Sequence, residues 1–222
     1  MNILFIGNSY TYYNDLPKIF EKTAVENGFD VSVFSVTKGN RKLIDNVLCD
    51  DDYTKQLENL ISAYRFEYAF LQEYSTLPLT NKAEFENGVK KLCDKLKPSV
   101  DNIVLYETWS RKEGNKTLTE NGWNVKMMTD GLAKSYCEVG KSAGVSVSYA
   151  GLSFYEALDA DELYDNDGTH PSYSGSCLAA LTHYCHVFGT FPEKTEHLNL
   201  SEKVIESFKT AIERGAKYCL VL

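Results

Sequence analysis

Two short segments at opposite ends of the chain contain residue types that could act together in nucleophilic catalysis. Ser9 ends a Gly-Asn-Ser segment near the amino terminus, and Asp167 and His170 lie in a late Asp-Gly-Thr-His-Pro segment. A serine hydroxyl is a poor nucleophile at neutral pH unless a histidine within hydrogen-bond reach takes its proton. The spacing lets the Asp167 carboxylate face Nδ1 of His170, which leaves Nε2 as a base. The pattern predicts a catalytic triad of Ser9, His170 and Asp167.

The elements around Ser9 are those of an open α/β sheet. Residues 2–6 are a short, mostly apolar run that reads as a strand buried on both faces. A helix is predicted over residues 17–27, with Pro17 in its first turn. Ser9 therefore lies in the turn between the first strand and the first helix. In such folds this edge of the sheet binds ligands.

The rest of the chain alternates between predicted strands and helices. The further strands are predicted over residues 29–36, 66–71, 102–106 and 145–150. The further helices are predicted over residues 53–64, 81–96, 125–143, 154–158, 173–188 and 201–215. Residues 110–122 are polar and are interpreted as an excursion at the sheet edge. This alternation indicates one three-layer α/β/α domain, spanning residues 1–222, around a parallel sheet whose strand ends meet at one rim.

Composition excludes several other classes of protein. The net charge of −8 and the absence of a lysine- or arginine-rich run argue against a nucleic-acid partner. No apolar stretch approaches the roughly 20 residues that span a bilayer. Met1 leads directly into the first strand, so no signal peptide is predicted, and the protein is expected to be cytoplasmic or to have lost a leader. The scattered cysteines are expected to be reduced core residues rather than metal ligands: Cys49, Cys93, Cys137, Cys177, Cys185 and Cys219.

Together the sequence blocks resemble the SGNH, or GDSL-like, hydrolase superfamily. The resemblance rests on Gly-Asn-Ser at Ser9, on Gly39 after the second strand, and on Asp-Gly-Thr-His-Pro from Asp167 to Pro171, in that order along the chain. It implies a flavodoxin-like five-stranded sheet of order 2-1-3-4-5. It also implies that Ser9 is the nucleophile and that the last block supplies the aspartate and the histidine.

The resemblance further implies an oxyanion hole, with one departure from the family pattern. The backbone N–H groups of Ser9 and Gly39 would be two of its donors. The family's third block, Gly-x-Asn-Asp, is missing, and the chain has Gln72 after the third strand. A glutamine carries the same amide donor as asparagine on one more carbon, and a branch of carbohydrate acetylesterases is similar in this respect. Gln72 is therefore predicted to be the third donor.

Purely structural roles remain open for these residues. Ser9 could stabilise the turn, His170 could be bound to its loop neighbours, and Gly39 could serve a turn only. Five aromatic residues fall near the predicted rim, where they could stack on a sugar ring: Tyr10, Tyr12, Tyr13, Tyr74 and Trp109, of which Tyr10 and Trp109 are the predicted substrate-binding residues. With 15 tyrosines in the chain, coincidence competes with that interpretation.

The sequence thus predicts a serine esterase that cleaves small acyl groups through an acyl-enzyme, with a small-molecule ester as its substrate. Acetyl groups on carbohydrate are the substrate that the resemblance and the aromatic residues suggest. Neither a metal nor an organic cofactor is required. Two alternatives stay open: a non-catalytic flavodoxin-like module that binds phosphate or flavin at the first turn, and a degenerate hydrolase that acts as a binding protein.

Overall fold

The centre of the computed structural model is a parallel β-sheet, and the structure describes residues 1–218. Cys219 lies outside the described residues. All neighbouring strands are parallel, and their order is β2-β1-β3-β4-β5. The strands are β1 (Asn2–Gly7), β2 (Ser32–Thr37), β3 (Phe66–Leu71), β4 (Val100–Tyr106) and β5 (Ser146–Ser148). This confirms the predicted flavodoxin-like topology and strand order.

Helices lie on both faces of the sheet and connect its strands. In chain order they are α1 (Ser9–Tyr12), α2 (Leu16–Glu26), α3 (Asp45–Leu48), α4 (Asp52–Ala63), α5 (Leu77–Thr80), α6 (Lys82–Leu96), α7 (Lys116–Glu120), α8 (Val125–Ala143), α9 (Ala150–Glu156), α10 (Tyr173–Phe188) and α11 (Glu202–Tyr218). Helices α2, α9, α10 and α11 pack on one face, and α4, α6 and α8 pack on the other. The result is the predicted three-layer sandwich.

The first strand shows why the sheet is buried on both faces. Successive side chains of a strand point to opposite faces. Ile3 and Phe5 belong to the apolar core beneath α2 and α10, whereas Leu4 and Ile6 belong to the core beneath α4 and α6. All four side chains are fully buried. An uninterrupted apolar run is therefore what this position in the sheet requires.

Long helices begin and end where their sequence signals predict. The side chain of Asn124 accepts a hydrogen bond from Met127 N at the start of α8, and Gly144 ends that helix with φ of +69°. The predicted ranges 125–143 and 173–188 coincide with α8 and α10. The four-residue helices α1, α3 and α5 were not predicted, because one turn is too short to show a periodicity.

Several predicted segments have other bounds in the structure: β4 begins at Val100 rather than at residue 102, and the helix predicted over residues 154–158 is α9, Ala150–Glu156. Three differences have a clear physical reason. The second strand begins at Ser32 rather than at residue 29, because Phe29 N still bonds to Ala24 O at the end of α2. The fifth strand is shorter than predicted, since α9 already begins at Ala150.

The third difference concerns residues 110–122: most of the predicted excursion is exposed, but its start is buried against the rest of the fold. Ser110 and Arg111 are buried, and the segment contains helix α7. Lys112 N donates to Gly168 O at 3.0 Å, so the segment packs against the loop that carries His170. Composition alone could not predict this long-range backbone contact.

Candidate active site

Ser9 is the first residue of helix α1, directly after the first strand. Gly7 ends the strand, and a Cβ atom there would lie 2.6 Å from Gln72 Oε1, so the tight approach requires glycine. Asn8 then caps the helix, with its side-chain oxygen accepting from Tyr10 N at 3.3 Å. Because the N–H groups of a helix's first turn have no partner within the helix, Ser9 N is directed out of it. The sequence thus presents both the hydroxyl and the N–H of Ser9 at the sheet edge.

The loop before α10 holds His170 and Asp167 in a fixed relation. Asp167 Oδ2 lies 2.5 Å from His170 Nδ1, and Oδ1 accepts backbone hydrogen bonds from Thr169 N at 2.8 Å and from His170 N at 2.9 Å. Gly168 has φ of +61°, a conformation that favours glycine. The carboxylate therefore binds both the ring and the backbone of the histidine.

The structure brings the two ends of the chain together at this loop. His170 Nε2 lies 2.8 Å from Ser9 Oγ, within hydrogen-bond distance. Partial burial raises the pKa of Asp167, but its hydrogen bonds with the ring and backbone of His170 and with Thr169 N outweigh this, and the net pKa is below its ordinary value. Asp167 is therefore a carboxylate at neutral pH, and it favours the imidazole tautomer with hydrogen on Nδ1.

Two residues whose contacts with the His170 loop were not predicted support this arrangement. The Tyr13 ring stacks on the His170 ring, with centroids 4.2 Å apart and planes at 9°. Asn14 adopts a left-handed conformation with φ of +52°, and its amide donates to Pro171 O at 3.1 Å and to Ser176 Oγ at 2.9 Å. Both lie within five residues of Ser9 and contact the His170 loop or the helix after it. A positive φ at an asparagine near the predicted nucleophile is visible only in the structure.

The predicted oxyanion donors have different surroundings. Gly39 is exposed and lies one residue after Lys38, whose N–H donates to Gly7 O at 3.2 Å, next to the Ser9 turn. Gln72 is fully buried, and its amide oxygen accepts from Asn8 N at 2.8 Å and from Thr11 Oγ1 at 3.0 Å.

The amide nitrogen of Gln72 donates to the carbonyl of Glu73. The two hydrogen bonds accepted by the Gln72 amide oxygen hold the Ser9 turn against the end of β3. We assign Gln72 this positioning role from its contacts. Its role as the third oxyanion donor stays a prediction.

The two aromatic residues predicted to stack on a sugar are not at the surface. Trp109 is fully buried and Tyr10 is 3% exposed. Trp109 stacks between Tyr10, at a centroid distance of 4.7 Å, and Phe154, at 4.0 Å. The prediction that Tyr10 and Trp109 bind a sugar ring from solvent is therefore wrong, because both rings belong to the core. Tyr12, which is 43% exposed, is the aromatic residue of α1 that faces solvent.

Two buried carboxyl groups follow β3 and β4 at the same edge of the sheet. Burial raises the pKa of Glu73 to about 8, although backbone N–H groups of Tyr74 and Leu43 bond to it and lower the pKa in part. Burial likewise raises the pKa of Glu107 to about 8 against two hydrogen bonds, from Leu152 N and Gly151 N. Both carboxyl groups bond to backbone and connect the strand ends to neighbouring segments.

His183, His186 and Asp51 have structural surroundings. His183 is fully buried with Nδ1 2.8 Å from Ser148 Oγ, and His186 Nε2 is 3.0 Å from Ser146 Oγ. Asp51, in the acidic run before α4, caps that helix and pairs with Arg41. Within residues 1–218 no group of three or more His, Cys, Asp or Glu side chains is arranged to hold a metal ion. Within the same range no helix is both long and apolar enough to cross a membrane.

Solved structures with the same architecture include hydrolases. A protein from Slackia heliotrinireducens described as an SGNH hydrolase is 26% identical and superposes with a TM-score of 0.74 over 83% of this chain and 97% of that one. The chain has an SGNH-like hydrolase fold. A DUF4886 family protein from Bacteroides uniformis gives a TM-score of 0.82 at 13% identity, over 98% of this chain and 95% of its own. An acetyl xylan esterase from Geobacillus stearothermophilus gives 0.60 at 16% identity, over 87% and 97%.

Sequence comparisons add little to this structural likeness. No protein-family model matches the chain. An adenylosuccinate synthetase from Trichoplax adhaerens is 30% identical over 78 residues, which is 35% of this chain. The chain covers only 16% of that protein's length.

Proposed function

We propose that the chain is a serine esterase that forms an acyl-enzyme on Ser9. The observation that supports this most directly is the chain of two hydrogen-bond contacts from Ser9 Oγ to His170 Nε2, at 2.8 Å, and from His170 Nδ1 to Asp167 Oδ2, at 2.5 Å. A hydroxyl, an imidazole and a carboxylate in this order are what activation of a serine requires.

In the proposed reaction Ser9 Oγ attacks the ester carbonyl while His170 Nε2 accepts the hydroxyl proton. The tetrahedral intermediate collapses, the alcohol leaves with that proton, and the acyl group remains on Ser9. Water then attacks the acyl-enzyme with His170 again as base, and the carboxylic acid is released. Asp167 keeps the imidazole in the required tautomer and stabilises its charged form.

The developing oxyanion needs donors that are already in position. We propose the backbone N–H groups of Ser9 and Gly39 for this role, as in the family that the sequence resembles. Such donors are each worth about 10²–10³ in rate in other hydrolases. The Gln72 amide is the proposed third donor, and it also holds the turn through Asn8 N.

Acetyl groups on carbohydrate are the substrate we propose. This rests on the likeness to a solved acetyl xylan esterase and on the exposed ring of Tyr12, three residues after the nucleophile in α1. An aromatic face at the surface can pack against the apolar face of a sugar. Release of acetate from acetylated xylooligosaccharides, compared with release from acetylated glycerol, tests the carbohydrate part separately from the esterase part.

The decisive experiment measures p-nitrophenyl acetate hydrolysis by the wild type and by Ser9→Ala, His170→Ala and Asp167→Asn variants. We expect Ser9→Ala to fall to the buffer rate and His170→Ala to lose about 10²–10⁴ in kcat, which is the usual contribution of a general base. A fluorophosphonate probe should add its mass to the peptide that contains Ser9.

The chain offers a matched control in Ser146, which is exposed and pairs with His186 at 3.0 Å. That pair has no carboxylate partner among the contacts described for residues 1–218. Ser146→Ala should keep wild-type kcat, and Ser146 should not react with the probe. Full activity in folded Ser9→Ala protein would refute the proposal.

A further inference from the structure

The guanidinium of Arg111 is buried beside the proposed active site without a carboxylate partner. Arg111 is 6% exposed, and among residues 1–218 it forms no ion pair. One of its nitrogens donates to the Tyr10 hydroxyl, and another donates to Ser75 Oγ at 2.8 Å. Buried charges in proteins are normally paired, because removing an ion from water is costly. Two neutral hydroxyl groups leave the charge of Arg111 uncompensated.

Arg41 provides an internal comparison because it is buried to a similar extent, at 4% exposure. Its guanidinium donates to both carboxylate oxygens of Asp51, at 2.7 and 3.1 Å, and also to Asn46 Oδ1 and Thr54 Oγ1. This is the usual way in which a fold accommodates a buried arginine. Arg111 differs from Arg41 in one respect: among residues 1–218 it has no anionic partner.

Tyr10 does not supply the missing negative charge. Burial raises the pKa of the Tyr10 hydroxyl, although the neighbouring Arg111 lowers it in part, so the hydroxyl is neutral. The ring of Tyr10 lies under the guanidinium, with 5.5 Å from the guanidinium carbon to the ring centroid. These contacts orient the guanidinium but do not neutralise its charge.

Arg111 is attached to the catalytic loop on both sides. The preceding Trp109 donates from Nε1 to Thr169 O at 3.2 Å, and the following Lys112 N donates to Gly168 O at 3.0 Å. The Tyr10 ring lies 5.8 Å from the His170 ring and 5.5 Å from the guanidinium carbon. The cation and the proposed base therefore both lie close to the same aromatic ring.

We propose that Arg111, oriented by the hydroxyls of Tyr10 and Ser75, forms an anion subsite, and that the natural substrate is an ester carrying a carboxylate near the scissile bond, which for an acetylated carbohydrate means an acidic sugar. The part of this proposal that concerns the ester substrate rests on the proposed esterase function. A planar guanidinium matches a carboxylate with two parallel hydrogen bonds. In a chain of net charge −8 such a local cation is needed to attract an anionic substrate.

The first test compares mono-p-nitrophenyl succinate with p-nitrophenyl acetate, as the ratio of their kcat/KM values. An equivalent pair for the alcohol side is 4-acetoxybenzoate and phenyl acetate. We expect the wild type to prefer the anionic member of at least one pair. In Arg111→Gln the ratio for that pair should fall about 10- to 100-fold, as expected for a hydrogen bond to a charged group. Arg111→Lys, which keeps the positive charge, should retain part of the preference for the anionic ester.

Arg65→Gln is the matched control, because Arg65 is exposed and precedes β3 at the opposite edge of the sheet. Its ratio should equal that of the wild type. If the wild type shows no preference for either anionic ester, the proposal is wrong, even where Arg111→Gln fails to fold. An unchanged ratio in folded Arg111→Gln would overturn it equally.

The second test does not depend on catalysis. Succinate is titrated calorimetrically into Ser9→Ala protein and into the Ser9→Ala/Arg111→Gln double variant. Binding that weakens at least tenfold in the double variant supports the anion subsite, even if no ester is hydrolysed and the esterase proposal fails. Equal binding by the two proteins, or no binding by either, would overturn the subsite while leaving the esterase proposal to its own test.

Discussion

The buried Glu107 should make the stability of the protein fall as pH rises, and Glu107→Gln should remove that dependence. The side chain of Glu107 is fully buried, and its Oε2 accepts from Gly151 N at 2.7 Å and Leu152 N at 3.1 Å. Glutamine has an acceptor oxygen that can keep these two bonds, but it has no proton to lose. The substitution therefore changes titration with little change in shape.

The sign follows from the raised pKa of Glu107, which is about 8 in the fold against an ordinary value of 4.5. Between these values the folded protein keeps a proton that the unfolded chain releases, so the contribution to stability is complete below pH 4.5 and is lost as pH rises towards 8. Each pH unit in that window corresponds to about 1.4 kcal/mol. From pH 5 to pH 8 the loss is about 3–4 kcal/mol.

The assay is urea unfolding at pH 5, 6, 7 and 8, with the free energy of unfolding extrapolated to water. The wild type should lose about 3–4 kcal/mol more than Glu107→Gln over this range. Glu73, whose pKa is raised in the same direction, is present in both proteins and cancels in the comparison. The exposed Glu120→Gln variant is the control and should follow the wild type. Parallel pH profiles for wild type and Glu107→Gln would refute the reasoning.

Three further substitutions test the packing around the nucleophile. Tyr13→Leu removes the ring stacked on His170 and should lower kcat about two- to tenfold, measured with p-nitrophenyl acetate, because a stacked aromatic pair is worth about 0.5–1.5 kcal/mol. Gln72→Ala leaves the buried Asn8 N–H unsatisfied and should lower the free energy of urea unfolding by about 1–3 kcal/mol; an unchanged value would contradict the positioning role. Gly7→Ala forces a Cβ atom against Gln72 and should cost a similar 1–3 kcal/mol, visible as a lower thermal midpoint.

Much of the fold was predictable because its signals are local. Apolar runs and helix signals predicted the parallel sheet, the family resemblance implied its strand order, and β3 and α8 have the predicted bounds. Segments whose structure depends on distant partners were not predictable. The polar composition of residues 110–122 gives no sign that Lys112 N bonds to Gly168 O, more than fifty residues later.

In the candidate site, too, some residues were predictable from short local motifs and others were not. Ser9, Asp167 and His170 carry recognisable chemistry in short motifs, and the structure brings their side chains within hydrogen-bond distance. Tyr10 and Tyr12 were harder to interpret, because they lie in a four-residue helix that no periodicity reveals. Successive helical residues are about 100° apart around the helix axis. A step of two positions, from Tyr10 to Tyr12, therefore turns the side chain from the core to solvent.

The residues after β4 connect the two proposals physically. Asn115 Nδ2 donates to Asp167 O at 3.1 Å and to Thr169 Oγ1 at 3.2 Å, and the neighbouring backbone also bonds to the His170 loop. The same segment carries Arg111. A ligand that binds the guanidinium therefore contacts the segment that positions the proposed base, so recognition of an anion and alignment of His170 share one structural support. Because interactions within such a connected set are not additive, Arg111 and Asp167 substitutions should show coupling in a double-mutant cycle.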